Sequence, residues 1–215
     1  MKKLQLLISI ILISITSYSQ KVETKYFDKL GNEVKESWAI FEERTMTYDD
    51  SRMKIYFFRI DDNTLISKQQ YKNGHPVGVW VLNDKKGDLI SMRNFDRIVY
   101  ADSNSIKRED TIIVEGEYVP PTYGKEGDRL IYLMENVHYP KEAKKSRAQG
   151  IVYIRFLVSK EGKMSNVVIK KGVSPYLDFE AYRVISGMGN WNPATVDGNP
   201  IDDYYDFPIK FILNY

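Results

Sequence analysis

The side chains able to do acid–base, nucleophilic or metal chemistry are few here, and badly spaced for it. The chain has two histidines and no cysteine. Without thiols there is no disulfide, no zinc–thiolate site and no cysteine nucleophile. His75 stands between Gly74 and Pro76, where a tight turn makes it a solvated surface residue. His138 lies far along the chain, in what reads as a different domain. The acidic pairs Glu42-Glu43, Asp49-Asp50 and Asp61-Asp62 read as solvated loop charges. They lack the alternating oxygen ligands around a central glycine that a calcium loop needs. No serine sits in a glycine-flanked elbow, and no glycine-rich loop could cradle phosphate. The expectation is a protein that is not an enzyme and holds no metal or cofactor. Lys141, Lys144, Lys145 and Arg147 cluster on a short helix. A solvated helix face explains them most simply, and an anionic partner is the other reading. The 31 basic and 29 acidic residues nearly balance, so no basic excess points to nucleic acid.

What remains is the chemistry of an open strand edge. From Asp203 to Leu213 the residue types alternate. Tyr205, Phe207, Ile209, Phe211 and Leu213 should face a core, and Tyr204, Asp206, Pro208 and Lys210 should lie opposite. Pro208 has no N–H for a ladder, which places the strand at or near a sheet edge. Such an edge is either a liability or a docking site. Pairing of a partner backbone along it would involve Asp203, Tyr204, Tyr205, Asp206, Phe207 and Lys210. A second proline at Tyr205 or Phe207 is expected to abolish that pairing. The edge could also pair two copies of the chain into a homodimer.

The elements that must position this strand can be read in order. Glu126 to Asn136 has helical spacing in Leu130, Leu133, Met134 and Val137. Tyr139-Pro140 opens a short helix with Pro140 at its first position. Gly150 ends that helix, and Ile151 to Val158 is a strand apolar enough for both faces to be covered. The turn 159–163 leads to a returning strand, Val167 to Lys170, which Gly172 breaks. Ser174 can cap a helix with Pro175 at its first position. On it Leu177, Ala181, Val184 and Ile185 form one stripe. Asp197-Gly198-Asn199 turns the chain into the last strand.

Upstream the chain differs in character. Met1-Lys2-Lys3, the apolar run from Leu4 to Ile15 and the small residues Ser17 to Ser19 read as a signal peptide cleaved before Gln20, exporting the chain to the periplasm. A retained membrane anchor is the alternative, although the uncharged run of roughly 17 residues is short and ends polar. From Gln20 to Ala101 the chain reads as β-hairpins. Met53 to Ile60, Leu65 to Tyr71, Val77 to Leu82 and Leu89 to Phe95 are strands, and Asn73-Gly74 is a strong hairpin turn. Trp80 and Phe95 read as core. Residues 102–121 read as a linker, with a short apolar run at Thr111 to Val114 and an extended Glu117 to Pro121. The fold class is thus α+β. An N-terminal antiparallel β-hairpin repeat domain (20–101) follows a signal peptide (1–19). After the linker (102–121) comes a small domain (122–215), an antiparallel sheet packed on helices.

Two resemblances add to this reading. The pattern of 71–80 (YKNGHPVGVW), 84–90 (DKKGDLI) and 94–96 (NFD) resembles the hairpin repeats of the MORN type and of the YwqK-family antitoxins. The stretch from Glu117 to Tyr215 resembles the C-terminal domain of TonB-type energy transducers in the form common in Bacteroidetes. It is carried by 139–143 (YPKEA), the Gln149-Gly150 step, 156–163 (FLVSKEGK), 177–184 (LDFEAYRV), 191–193 (WNP), 197–200 (DGNP) and 207–211 (FPIKF). The resemblance implies a periplasmic domain that grips an extended segment of a TonB-dependent outer-membrane receptor by β-augmentation on its last strand. It implies a structural motif set at Tyr139, Pro140, Ala143, Gly150, Gly162, Leu177, Asp178, Ala181, Trp191, Pro193, Gly198, Pro208 and Phe211. A membrane-anchored energy transducer is the alternative function. The chain departs from that pattern: no histidine accompanies Ser9 and Ser14 in the apolar run, no long proline-rich spacer follows, and Met188-Gly189 stands where the family often has Met-Pro.

Overall fold

The computed structural model describes residues 20–101 and 115–213. Residues 1–19, read from the sequence as a signal peptide, the polar stretch 102–110 and the apolar run 111–114 lie outside the described residues. The elements in chain order are β1 (Gln20–Phe27), a 3-10 turn (Glu36–Trp38), β2 (Phe41–Tyr48), β3 (Arg52–Arg59), β4 (Thr64–Lys72), β5 (His75–Pro76), β6 (Val79–Asn83), β7 (Leu89–Asn94), β8 (Val99–Tyr100) and β9 (Tyr118–Val119). Then follow α1 (Asp128–Asn136), α2 (Lys141–Lys145), β10 (Gly150–Val158), β11 (Met164–Lys171), α3 (Pro175–Ser186), β12 (Ala194–Val196), β13 (Asn199–Ile201) and β14 (Asp203–Phe211). The chain divides into two compact units, 20–74 with 80–92, and 75–79 with 93–101 and 115–213.

The first unit is built on an antiparallel sheet in the order β1-β2-β3-β4-β6-β7. Its turns follow local chemistry. Asn73 and Gly74 both have positive φ (52° and 79°), as a two-residue hairpin turn requires. The Asp28 carboxylate accepts from the N–H groups of Leu30 and Asn32, which closes the first turn. Almost every residue of β2, β3 and β4 is half-buried, on both faces of the sheet. Phe41 stacks on Phe57 at 5.5 Å, and Tyr71 meets Trp80 edge-on at 4.9 Å. Trp80 is buried, and its Nε1 donates to the Gln70 carbonyl. The pair Glu42-Glu43 is in strand β2 rather than a loop. Glu42 is buried beside Arg44, which compensates its charge.

The second unit holds the main core. Its larger sheet has the order β14-β10-β11-β8. Val152, Ile154, Phe156, Val158, Ile169, Phe207, Ile209 and Phe211 form one buried face. Against it packs α3, with Leu177, Ala181, Val184 and Ile185 buried as their spacing predicted. Ser174 caps α3 by accepting from Leu177 N–H, and Pro175 follows at the first turn. Among the described residues one face of β10 is buried, while on the other Tyr153 is exposed and Ile151, Arg155 and Leu157 are half-buried. The apolar run in β10 reflects its central position between two strands, not a second packed layer.

The boundaries differ from the sequence reading. Residues 93–101, placed with the hairpins, pack in the second unit. Phe95 is fully buried with its ring 5.2 Å from Phe179, and β8 adds to β11 in parallel. The Arg93 guanidinium donates to both Glu142 oxygens, at 2.9 and 3.0 Å. The linker is also shorter than 102–121. Tyr118 and Val119 pair with β12, and Pro121 is buried. These contacts are long-range in sequence, and local composition at 93–121 does not reveal them. His75 likewise belongs to the second unit, with His138.

Candidate partner-binding edge

β14 pairs along its whole length with β10, from Gly150 opposite Phe211 to Val158 opposite Asp203, and has no other neighbour among the described strands. Residues on an antiparallel strand point N–H and C=O alternately to one side and the other. Pro208 has no N–H and sits within this ladder, so its parity is the outward one. Tyr204 shares that parity, and its N–H donates to the Asp203 carboxylate at 2.9 Å rather than across the ladder. Asp206 and Lys210 share it too. The free edge therefore offers the carbonyls of Tyr204, Asp206, Pro208 and Lys210, but only the N–H groups of Asp206 and Lys210. Tyr205, Phe207, Ile209 and Phe211 turn their N–H groups toward β10. A proline at Tyr205 or Phe207 would thus break the internal ladder, which corrects the expectation that it would test docking.

The side chains keep the alternation the sequence indicated. Phe207, Ile209 and Phe211 are buried, and Tyr204, Asp206, Pro208 and Lys210 are exposed. The Asp206 carboxylate is already engaged. Arg155 Nε and Nη2 donate to it at 2.7 and 2.8 Å, and Lys170 Nζ at 2.8 Å. Partial burial raises its pKa, but those donors more than reverse this, and the net shift is downward. Tyr204 lies against the same Arg155, whose guanidinium carbon is 6.0 Å from the ring centroid. Lys210 is left as the exposed cation of the edge. At the start of the strand Tyr118 donates to Asp203 at 2.6 Å. Burial, together with the bond to and charge of Asp203, pushes the Tyr118 phenol up to about 12.

On the inner side Tyr205 belongs to an aromatic cluster with Trp191 at 5.5 Å and Phe156 at 5.9 Å. Arg129 Nη1 donates to the Tyr205 hydroxyl at 3.1 Å. A cavity of about 370 Å³ opens here, lined by Pro120, Tyr123, Arg129, Trp191 and Tyr205 among others. Trp191 Nε1 is buried without a hydrogen-bond acceptor among the described residues.

The motif residues make packing, turn and hydrogen-bond contacts within the second unit. The Tyr139 hydroxyl donates to the Ala148 carbonyl, and its ring meets Phe211 edge-on at 5.7 Å. Pro140 is the N-cap of α2 rather than its first helical residue, because its ψ of 138° is extended. Ala143 is fully buried. Gly162 has φ +77°, and an added Cβ would lie 2.1 Å from the Trp191 carbonyl oxygen. Gly150, at φ +153°, is crowded by Val173. Asp197 and Gly198 turn β12 into β13 with φ of 50° and 77°. Pro193 is half-buried just before β12. Asp178 is buried and accepts from Val173 N–H at 2.8 Å and from the Tyr100 hydroxyl at 3.3 Å. Burial pushes its carboxyl up despite those donors.

His75 is exposed and stacks on Tyr100 at 4.4 Å, and the His138 side chain is exposed. Lys141, Lys144, Lys145 and Arg147 are exposed as well. Among the described residues no group of three or more His, Asp or Glu side chains is placed to hold a metal ion. No helix among them is long and apolar enough to cross a membrane. Sequence reasoning missed Arg155, Lys170, Arg93 and Glu142. Their signal was a charge on or beside an apolar element, which reads as a solvated face until a partner is known.

No match was found among curated proteins or among solved structures. Residues 135–213 match the family model of the Gram-negative bacterial TonB protein C-terminal, which gives this part of the chain a protein-interaction role of TonB type.

Proposed function

We propose that the chain is a non-enzymatic periplasmic protein whose C-terminal unit takes up an extended segment of a partner, such as a TonB-dependent outer-membrane receptor, on the free edge of β14. The observation that carries this reading is the position of β14, a nine-residue strand ending the sheet order with one neighbour. Main-chain hydrogen bonds would supply affinity, and the side chains of the added strand would supply selectivity. Those pointing to the inner side at the start of β14 would reach the cavity beside Trp191 and Tyr205. The hairpins of the first unit are read as repeats of MORN type, a reading their consecutive antiparallel order supports.

The test is a titration of the chain with peptides from receptor N-termini, each backbone N-methylated at a single position. A paired edge strand is sensitive at alternate positions only. Uniform tolerance of methylation would remove the edge-docking reading.

A further inference from the structure

We propose that one face of the first unit's sheet binds a linear anionic glycan bearing carboxylate, sulfate or phosphate groups. The register fixes which residues share that face. Arg44 lies opposite Tyr56, and Tyr56 opposite Lys68. Met46 lies opposite Lys54, and Lys54 opposite Gln70. Arg52 lies opposite Lys72 at the end of the same face. The sole carboxylate among the facing strand positions of β1 to β4 is Glu42, which pairs with Arg44. Arg52 pairs with Asp50 from the adjoining turn. Lys54, Lys68 and Lys72 make no ion pair with a described carboxylate, and they stand on adjacent strands. The opposite face mixes Lys21 and Lys25 with Glu23 and Glu43 and has no such excess.

The grid of a sheet suits an extended ligand. Strands are about 4.8 Å apart and same-face residues about 6.7 Å apart along a strand. Successive charges on a linear chain can therefore meet successive cations. The aromatic rings decide the kind of polyanion. Arg52 and Lys54 cover the Tyr48 ring, at 5.0 and 5.6 Å, and Arg44 covers Phe58 at 5.0 Å. Tyr56 and Phe58 stand against one another at 6.1 Å. Binding of single-stranded nucleic acid relies on open ring faces for base stacking, and cations lie over the Tyr48 and Phe58 rings. A membrane surface would call for several protruding apolar side chains, but Met46, Tyr56 and Phe58 on this face are half-buried and Val22 alone among these four is exposed. A charged glycan asks for neither.

The experiment titrates the full chain with a size-defined heparin oligosaccharide, single-stranded DNA of matched charge and phosphatidylglycerol vesicles, at two salt concentrations. Heparin should bind in preference to the other two and weaken with salt. A cation beside an anionic surface contributes about 1 kcal/mol, so Lys54→Gln with Lys68→Gln should weaken binding by about 25-fold. Lys21→Gln with Lys25→Gln should leave it unchanged. Lysine-reactivity footprinting of the unmodified chain should show Lys54 and Lys68 protected by heparin, with Lys21 and Lys25 still reactive. This readout holds even where the double variant is unstable. Absence of heparin binding, equal loss in the two double variants, protection of the opposite face, or tighter binding of DNA or vesicles would each overturn the proposal.

Discussion

Lys210→Pro separates docking on β14 from the stability of the unit that carries it. Lys210 is exposed, and its N–H points away from β10, so proline there removes an edge donor and leaves the internal ladder intact. The preceding Ile209 is within the strand, the conformation that a following proline prefers. Only Asp206 and Lys210 present outward N–H groups, because Pro208 has none and the Tyr204 N–H is bound to Asp203. One of two donors is therefore lost. A net backbone hydrogen bond contributes about 1 kcal/mol, which is about fivefold in Kd. Peptide titration by fluorescence anisotropy reads that change, and a thermal melt of the same sample should show little loss of stability. Phe207→Pro is the contrasting variant. It removes a ladder donor and a ring that is 2% exposed, and loss of such a ring alone costs about 3–5 kcal/mol. That variant should lose its cooperative melt. An unchanged Kd in folded Lys210→Pro would refute the argument that this edge is the docking surface.

Gly162→Ala forces a Cβ into the Trp191 carbonyl at a positive φ, so the second unit should lose more than about 2 kcal/mol in chemical denaturation. Asp178 has a raised pKa through burial. The folded state then binds its proton more tightly than the unfolded state, and stability falls as pH rises from about 4 through the raised value. Asp178→Asn removes that slope, so the melting temperature of the variant should gain on the wild type between pH 4 and pH 7. Trp80→Ala removes a buried ring and its bond to Gln70, and should cost the first unit about 3–5 kcal/mol by urea unfolding. A chain begun at residue 122 lacks Phe95, β8 and β9, and should be less stable by at least about 3 kcal/mol than one begun at residue 75.

The second unit was legible in the sequence wherever local chemistry decides structure. The cap at Ser174, the stripe on α3, the turn at Asp197-Gly198 and the alternation of β14 each follow from residues within one turn or one strand. Pro208 gave the edge, because a missing donor restricts the strand wherever the chain folds. β2 went unread as a strand, since Glu42, Glu43 and Arg44 break its apolar pattern. Both parities of β2, β3 and β4 are half-buried, so alternation of polar and apolar residues loses its meaning there. The engagement of Asp206 by Arg155 and Lys170 was invisible for a different reason. It depends on the register of three strands, which only the folded sheet defines.

The two ends of the larger sheet are treated differently, and the difference bears on docking. At one end β8 covers part of β11, using residues far upstream of the matched family region. At the other end β14, nine residues long, has no second neighbour among the described strands. Open edges invite indiscriminate pairing, and proline and lysine are the usual means of restraining it. β14 carries both, at Pro208 and Lys210, and the Asp203 carboxylate occupies the N–H of Tyr204. These features do not close the edge; they make it rich in acceptors and poor in donors. A second copy of β14 would bring the same imbalance and satisfy few of the exposed carbonyls. A partner strand with free N–H groups opposite Tyr204 and Pro208 would satisfy them. The restraint that limits self-pairing is thus the same feature that selects a heterologous, donor-rich segment.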